Sequence, residues 1–524
     1  MRALMMRLSA RSGANLFGRL AVIAIVALNG ACVTVDFDAP KEPSYVITDT
    51  SETFLGEAVE AFQTGASGET GIYPMIDGIE ALGARLKGAT RAERSIDLQY
   101  YLIYGDTAGA LLINELLNAA DRGVRVRILV DDVLTKGYDR EMVDLDAHPN
   151  IQIRVFNPFA VRGLRSWNFL WDFNRVNRRM HNKSFIVDNE VAIIGGRNIA
   201  DEYFAAREDV NFGDLDVITI GPVVNEISTM FDLYWNDRLA VPVTTVITPP
   251  KDPEVAAARI RARLDPAIAN IEKTHYAELI REFEANRYIR REEFTWVPYD
   301  LVYDSPDKAG TKPNAEGKRI RPALAEAVRT TENELIILSP YFVPTDRLVE
   351  GARAMTQRGV SIFVITNSLA ANNHSAVHAG YAPWRKKLLE AGVRIFEVRA
   401  DAQATGVDRS RMLHSGGTLH TKAFIVDRRL VYLGSFNWDP RSAFINTEMG
   451  IILESEEFGQ YAGRRMEKML PVNAYEVVLN DEGRLRWVTS ENGERVVYKK
   501  EPDTGWWKRF KVKVIGLLPI DEQL

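Results

Sequence analysis

The chain contains only one cysteine, Cys32, among its 524 residues. A single cysteine forms no disulfide within the chain, so a disulfide-stabilised scaffold and an intramolecular redox pair are both excluded. The chain also lacks an excess of basic residues, because 65 Lys and Arg face 71 Asp and Glu and the net charge is −6. This balance argues against a nucleic-acid partner. Beyond the amino-terminal region, no apolar run is long enough to cross a bilayer.

The first 32 residues have the pattern of a secretory signal. Several arginines precede an apolar core from Leu20 to Leu28, and the small residues Gly30 and Ala31 precede Cys32. This arrangement resembles a bacterial lipoprotein cleavage site, so Cys32 is predicted to be lipidated and to hold the protein at a membrane of the bacterial cell envelope. One departure is Asn29, which stands where a large aliphatic residue is usual. A cleaved signal without lipid and an uncleaved anchor are the alternatives.

One eight-residue pattern, H-x-K-x-x-x-x-D, occurs twice in this chain. It runs from His181 to Asp188 and again from His420 to Asp427. In both copies an asparagine follows seventeen positions after the histidine, after a pair of small residues: Asn198 after Gly195-Gly196, and Asn437 after Gly434-Ser435. Two copies with matching continuations are very unlikely to arise by chance, so the pattern indicates a functional site.

The residue types within the pattern suit chemistry on a phosphodiester. The apolar residues after His-x-Lys predict a buried strand, on which side chains two positions apart share a face. Two copies would surround one point with two imidazoles and the two ammonium groups of Lys183 and Lys422. One histidine can attack phosphorus while the other protonates the leaving oxygen. The alternative is that each histidine is a structural core residue.

The other residues of the two motifs are given supporting roles. Asn198 and Asn437 are predicted to hold phosphoryl oxygens together with the two lysines. Asp188 and Asp427 lie at predicted turns and are interpreted as residues that fix the turn or support the catalytic groups from behind, rather than as catalytic residues. Such a site requires neither a metal ion nor another cofactor. The pair Asp131-Asp132 could suggest a metal site, but no histidine or third carboxylate accompanies it in the sequence.

Strand-like and helix-like segments alternate along the chain, which predicts an α/β fold. The order repeats in the second half, and an Arg-Gly-Val before a predicted strand occurs at 122–124 and at 358–360. We therefore expect two pseudo-symmetric α/β halves whose sheets pack together, with both motifs at the interface. The predicted divisions are a signal at 1–32, a linker at 33–75, the first half at 76–250, a helical connector at 251–318, the second half at 319–475 and a tail at 476–524.

The doubled motif resembles the phospholipase D superfamily, whose active site takes one such motif from each half of a duplicated fold. Further segments resemble its bacterial cardiolipin synthase C branch, among them GGRNIADEYF at 195–204, SPYFVP at 339–344, TNSLAANN at 366–373 and GSFNWDPRS at 434–442. The resemblance implies a phosphatidyltransferase that acts on phospholipids in a membrane. It would form a phosphatidyl-histidine from phosphatidylethanolamine and pass the phosphatidyl group to phosphatidylglycerol, giving cardiolipin.

The resemblance also implies roles for individual residues. His181 is expected to be the nucleophile and His420 the general acid. An acidic residue orients each histidine in the superfamily, and Asp214 fits this role for His181, with Asp216 as the competitor. Glu448 fits it for His420.

The sequence is also compatible with two other functions. One is a phospholipase that uses the same residues with water as acceptor and releases phosphatidic acid. The other is a non-catalytic envelope lipoprotein that binds lipid. Two segments are candidates for additional membrane contact because they combine basic and aromatic residues: 162–179 and 506–518. Folding of these segments onto the protein surface is the alternative for both.

Overall fold

A computed structural model describes residues 34–63, 68–207, 210–286, 289–310, 314, 316–402, 416–491, 493–518 and 523. Cys32 and the predicted signal lie outside the described residues. Among those residues, no helix combines the length and the apolar character needed to cross a bilayer.

The strands of each half form one mixed sheet. The first sheet contains β1 (Thr70–Met75), β2 (Ser95–Tyr100), β3 (Arg125–Asp131), β4 (Ile151–Phe156), β5 (Ser184–Val187), β6 (Val191–Gly195), β8 (Asp216–Ile220), β9 (Ala240–Pro242) and β10 (Thr295–Val297). The second contains β11 (Tyr299–Tyr303), β12 (Glu334–Leu338), β13 (Ser361–Asn367), β14 (Arg394–Val398), β16 (Ala423–Val426), β17 (Leu430–Gly434), β18 (Met449–Glu454), β19 (Ala474–Leu479), β20 (Leu485–Glu491) and β21 (Glu494–Tyr498). A two-stranded ribbon, β7 (Val210–Gly213) with β15 (Gly416–Leu419), joins the halves.

Helices alternate with the strands as the sequence predicts. The α-helices are Phe54–Gln63, Gly78–Arg91, Thr107–Asp121, Asp139–Asp146, Asn168–Trp171, Phe173–Val176, Pro222–Trp235, Val243–Val246, Pro253–Ile271, His275–Asn286, Ile320–Arg329, Asp346–Gln357, Ser375–Tyr381, Arg385–Glu390, Pro440–Phe444, Glu456–Asn473 and Trp506–Ile515. Short 3₁₀ helices occur at Asp132–Leu134, Arg165–Trp167, Asp201–Tyr203, Arg291–Glu293, Pro306–Ala309 and Ala382–Trp384.

The predicted α/β fold and its duplication are confirmed by the sheet topology. The strand order β8-β6-β5-β2-β3-β4 of the first sheet recurs as β18-β17-β16-β12-β13-β14 in the second. In both sheets the central strand, β2 or β12, pairs parallel with the next strand in the chain and antiparallel with the strand that follows the H-x-K motif.

The two sheets pack face to face through one shared apolar core. Ile186 and Ile194 of the first sheet belong to the same buried cluster as Ile336, Ile425 and Val431 of the second. Alternate residues of the same strands, such as Phe185, face the outer helices instead. Because side chains alternate between the two faces of a strand, the continuous apolar runs in the sequence fill both layers.

Three of the predicted divisions contain strands that the sequence did not indicate. The segment 33–75 is not only a linker, because it supplies β1, which pairs with β8 in the first sheet. The connector 251–318 is not only helical, because it ends in β10 and β11. The tail from 476 carries most of β19 and the whole of β20 and β21, which extend the second sheet. These edge strands are short or weakly alternating, so their sequences lack the pattern that marks the central strands.

Candidate active site

Both H-x-K motifs lie at the same end of their sheets. β5 begins at Ser184 and β16 at Ala423, so each motif comes just before its strand rather than within it. Ser184 pairs with Gln99 near the end of β2, and Ala423 pairs with Leu338 at the end of β12. The motifs therefore lie at the carboxyl ends of the central parallel strands, where open α/β sheets commonly place their sites.

Each motif histidine is hydrogen-bonded to a carboxylate from the opposite half of the chain. The Nδ1 atom of His181 lies 2.9 Å from a carboxylate oxygen of Glu448. The Nδ1 atom of His420 lies 2.6 Å from a carboxylate oxygen of Asp214. The predicted pairs, Asp214 with His181 and Glu448 with His420, are therefore wrong, although all four residues belong to the site.

Backbone hydrogen bonds between the halves explain why each histidine contacts the carboxylate of the other half. The backbone N–H of His181 donates to the carbonyl of Thr447 at 2.9 Å, and Glu448 is the next residue. The N–H of His420 donates to the carbonyl of Gly213 at 2.8 Å, and Asp214 is the next residue. Each histidine is thus aligned with the segment that carries the other half's acid. Sequence spacing within one half contains no information on this pairing.

Asp216, the competitor for the partner of His181, serves another purpose. Its carboxylate lies 2.7 Å from a guanidinium nitrogen of Arg85 and 3.7 Å from one of Arg197, and all three side chains are buried. A buried carboxylate needs such partners to offset its desolvation. Asp216 is therefore held in an ion-pair network away from the imidazoles.

The small residues after each motif leave room for the carboxylates. A Cβ atom at Gly196 would lie 2.2 Å from Asp214 Oδ1, so any side chain there would displace the carboxylate. The equivalent position in the second half is Ser435, whose hydroxyl donates to Glu448. The Gly-Gly and Gly-Ser pairs therefore differ because one half accommodates an aspartate and the other half a glutamate with a hydroxyl partner.

Both motif lysines are buried beside the histidines, and each is about 1% exposed. Lys183 Nζ donates to the carbonyl of His181 at 2.6 Å, and Lys422 Nζ donates to the carbonyl of His420. Burial lowers the pKa of Lys183 to about 7, against the opposing effect of Glu448 and with a contribution from Lys422. Burial likewise lowers the pKa of Lys422 to about 8. The free site thus holds poorly solvated ammonium groups that an anion would stabilise.

The pKa values of both histidines and of both carboxylates are lowered in the site. Burial lowers the pKa of His181, and burial together with Lys422 lowers the pKa of His420 to about 3. Burial alone would raise the pKa of Asp214 and of Glu448, but the neighbouring histidine and lysine hold both below their usual values. The resting site therefore has neutral imidazoles oriented by ionised carboxylates, the arrangement that fixes a tautomer and stabilises an imidazolium once it forms.

A model of the family "Cardiolipin synthase, PLD-like domain" matches residues 86–235 and 324–470, one segment in each half. Cardiolipin synthase C of Escherichia coli strain K12 is 40% identical over 479 residues, which is 89% of this chain and 99% of that protein. The chain belongs to the phospholipase D-like cardiolipin synthase family. It is accordingly an enzyme of the phosphatidyltransferase class.

Other similarities agree with membership in the cardiolipin synthase family. An uncharacterised protein of Helicobacter pylori strain J99 is 31% identical over 520 residues, 95% of this chain and 98% of its own. Phosphatidylserine synthase of Haemophilus influenzae has a similar fold, with a TM-score of 0.54 and 13% identity over 89% of this chain and 100% of that one. The second similarity concerns the fold alone.

Four aromatic rings form the walls around the two histidines of this family member. The ring of Tyr101 packs edge-on against the imidazole of His181, with 5.1 Å between the ring centres. Tyr203 packs in the same way against His420, with 5.0 Å between the ring centres. Phe212 stacks on His420 with 5.3 Å between the ring centres, and the ring centre of Tyr341 lies 6.5 Å from that of His420. Sequence reasoning assigned no role to these residues. Tyr101 and Tyr341 could have been found, because both follow the carboxyl end of a central strand.

Asn198 and Asn437, the two asparagines predicted to hold phosphoryl oxygens, are both buried. Asn198 donates from its amide nitrogen to the Tyr203 hydroxyl at 2.9 Å. The amide oxygens of Asn198 and Asn437 are buried and have no hydrogen-bond partner among the described residues. Rotation of the Asn437 amide about its last bond would present its N–H₂ group in place of that oxygen. Both amides therefore have unused hydrogen-bonding capacity inside the site.

Asp188 and Asp427 make the same contacts in the two halves. The Asp188 carboxylate accepts backbone N–H bonds from Glu93, Arg94 and Ser95 at 2.8 to 3.0 Å. Asp427 accepts from three consecutive residues in the same way: Glu332, Asn333 and Glu334. Each carboxylate thus fixes the turn that leads into a central strand. In the described part of the chain, no hydrogen bond joins either carboxylate to an imidazole, so their contacts are those of turn-fixing residues.

The arginines of 162–179 do not form an open phosphate site. Arg162 lies 2.8 Å from Asp132, and Arg179 lies 3.2 Å from Asp131, so the predicted acidic pair and these arginines neutralise each other inside the protein. Several apolar residues of the segment are exposed, and Leu170 is 79% exposed. Among the described residues, no group of three or more His, Cys, Asp or Glu side chains is arranged to hold a metal ion.

Proposed function

We propose that this enzyme makes cardiolipin by moving a phosphatidyl group from phosphatidylethanolamine to phosphatidylglycerol through a phosphatidyl-histidine. The observation that carries the proposal is the pair of crossed imidazole–carboxylate contacts beside two buried lysines. Together they offer a nucleophile, a general acid and two positive charges around one point. The 40% identity to Cardiolipin synthase C of E. coli supports the same reaction.

In the first step His181 is the nucleophile. Its Nδ1–H is held by Glu448, so Nε2 carries the free lone pair and faces the substrate. Nε2 forms a bond to phosphorus while the bond from phosphorus to the ethanolamine oxygen breaks. His420, whose Nδ1–H is held by Asp214, gives its Nε2 proton to that leaving oxygen. The binding of an anionic phosphodiester raises the pKa of His420, which lets it take up the proton that it needs.

The second step reverses these roles. A hydroxyl of phosphatidylglycerol gives its proton to His420 and attacks phosphorus, and the bond from phosphorus to His181 breaks. Cardiolipin leaves, and His420 releases this proton as the empty site returns to its neutral imidazoles. In both steps Lys183 and Lys422 stabilise the charge on the phosphoryl oxygens, an effect that a poorly hydrated site strengthens.

The burial of the reacting groups favours transfer over hydrolysis. His181 is 9% exposed and His420 is 5% exposed, and the rings of Tyr101, Tyr203 and Phe212 enclose them. A site that excludes water protects a covalent intermediate from hydrolysis. A phospholipase that releases phosphatidic acid is the second candidate function, and it would need water to reach the intermediate.

Two exposed apolar surfaces support action at a membrane. The first consists of Leu164 and 169–173, in the segment that leads into the first motif; Leu164 is 56% exposed. The second is the helix Trp506–Ile515 with Leu517 and Leu518, where Trp506 and Trp507 are each 66% exposed beside Lys511 and Lys513. Arg441 donates both to Asn177 and to the carbonyl of Gln523, so these two residues lie close to each other. Aromatic and basic residues of this kind favour a lipid interface.

The deciding experiment supplies the purified enzyme with acyl-labelled phosphatidylethanolamine and unlabelled phosphatidylglycerol, and separates the products. We expect labelled cardiolipin and free ethanolamine in equal amounts. The His181→Ala variant should form neither, whereas His275→Ala, at an exposed histidine outside the site, should match the parent. Labelled phosphatidic acid would instead show hydrolysis, and cardiolipin formed without label would show that another lipid is the donor. A lack of turnover by the parent would overturn the proposal.

A further inference from the structure

The helix Glu456–Asn473 lies over an apolar pocket on the inner face of the second sheet. The pocket has a volume of about 130 Å³. Its walls include Leu338, Ile365 and Val431 from the sheet and Met466, Met469 and Leu470 from the helix. An apolar cavity of this size has room for a short length of hydrocarbon chain.

The first half has a helix equivalent to the one that covers the pocket. Gly195 pairs with Asp216 and Gly434 pairs with Gly450, so positions 216 and 450 are equivalent. The helices that follow therefore start at equivalent residues, Pro222 and Glu456.

In the first half this helix fills its groove with Phe231 and Trp235, both fully buried. Their equivalents in the second half are Arg465 and Met469, which leave the groove open.

The open groove has one cationic group at its side. Arg465 is among the residues that line the pocket, and no carboxylate in the described part of the chain forms an ion pair with it. Asp214 and Thr421 also line it, and they flank His420 as its carboxylate partner and its chain neighbour. An elongated apolar ligand with an anionic end therefore matches the walls and the guanidinium.

From this geometry we infer that the pocket binds a fatty acyl chain, with its carboxylate or phosphate end at Arg465. The inference rests on the proposed function for its setting, since an enzyme that works on phospholipids meets such chains in its membrane. The chain can come from a substrate phospholipid or from a separate free fatty acid. Both present the same apolar chain and anionic end to the pocket.

The test restores to the second half the residue that closes the groove in the first. The parent, Met469→Trp and the volume-conserving control Met469→Leu are titrated, without micelles, with cis-parinaric acid, a fatty acid whose fluorescence rises in apolar surroundings. We expect parent and Met469→Leu to bind alike and Met469→Trp to bind at least about tenfold more weakly, a change of about 1.4 kcal/mol. Arg465→Gln, which keeps the walls and removes the charge, should also weaken binding. Thermal unfolding of each variant shows whether it is folded.

Activity measurements distinguish an acyl chain of the substrate from an acyl chain of a separate lipid. They also test the proposed function separately from acyl-chain binding. A raised KM for dispersed phospholipid in Met469→Trp assigns the pocket to a substrate chain, and an unchanged KM assigns it to a separate lipid. The inactive His181→Ala variant should still bind cis-parinaric acid. The inference is overturned if the parent does not bind this acid, or if a folded Met469→Trp binds it equally well, whatever products the enzyme forms.

Discussion

His181 Nδ1 and a carboxylate oxygen of Glu448 lie 2.9 Å apart, although 267 positions separate them in the sequence. The contact joins the two halves, and His420 with Asp214 repeats it in the opposite direction at 2.6 Å. Each half therefore supplies one imidazole and the carboxylate that orients the other. Neither half contains a complete acid–base pair.

The crossed pairing predicts which variant changes which imidazole. We expect Glu448→Gln to change the titration and tautomer signals of His181 in nitrogen NMR spectra, and Asp214→Asn to change those of His420. Turnover should fall by about 10³ to 10⁴ in either variant, as it does when a carboxylate that orients a histidine becomes an amide. If Glu448→Gln altered only the His420 signals, the pairing of Glu448 with His181 would be incorrect.

The lysines predict a loss of activity at alkaline pH. Lys183 has a pKa of about 7 and Lys422 of about 8 in the free site, both below the usual value because of burial. Since the charged forms stabilise the phosphoryl oxygens, kcat/KM should fall as the pH rises through this range. Lys183→Arg, which stays charged, should move the alkaline limb to higher pH even if its maximum rate is lower. A limb at the same pH in this variant would show that another group controls it.

The same two charges predict that chelators leave the reaction intact. Lys183 and Lys422 occupy the place where a divalent ion would otherwise neutralise the phosphate. We expect equal initial rates with and without EDTA, and a much larger fall in kcat than rise in KM for Lys422→Met. Inhibition by EDTA that one divalent ion reverses would contradict this account.

Asp188 and Asp427 should matter for stability rather than for chemistry. Replacement of either by alanine leaves three backbone N–H groups without their acceptor, at a cost of about 3 kcal/mol. Asp188→Asn keeps Oδ1, which accepts two of the three bonds, so its thermal midpoint should lie between those of the parent and of Asp188→Ala. Thermal unfolding of the four variants, including both at Asp427, provides the measurement. Equal midpoints for parent and alanine variants would refute the turn-fixing role.

Membrane attachment should depend on two separable features. Cys32→Ser should block lipoprotein processing and reduce recovery in the membrane fraction, while activity on detergent-dispersed lipid stays near that of the parent. Replacement of Trp506 and Trp507 by serine should weaken binding to vesicles of phosphatidylglycerol without affecting processing. Unchanged fractionation of Cys32→Ser would indicate that the apolar segment Leu20–Leu28 or the carboxyl-terminal helix is the anchor instead.

The central strands, the duplication and the motif residues could all be predicted from local patterns. Phe185-Ile186-Val187 marks a buried strand by itself, and its recurrence at Phe424 marks the repeat. The partners of the histidines could not be predicted, because they depend on which strand of one half lies beside which motif of the other. The same limitation applies to Arg162 and Arg179, whose charge suggests an open phosphate site until their partners Asp132 and Asp131 are seen.

The consecutive edge strands β10 and β11 restrict how this chain can assemble. β10 ends at Val297 in the first sheet and β11 starts at Tyr299 in the second, with only Pro298 between them. This one-residue connection places the edge of the first sheet directly beside the edge of the second within one chain. In this arrangement each molecule completes its active site from its own two halves, so a mixture of two inactive variants, one altered in each motif, should regain no activity.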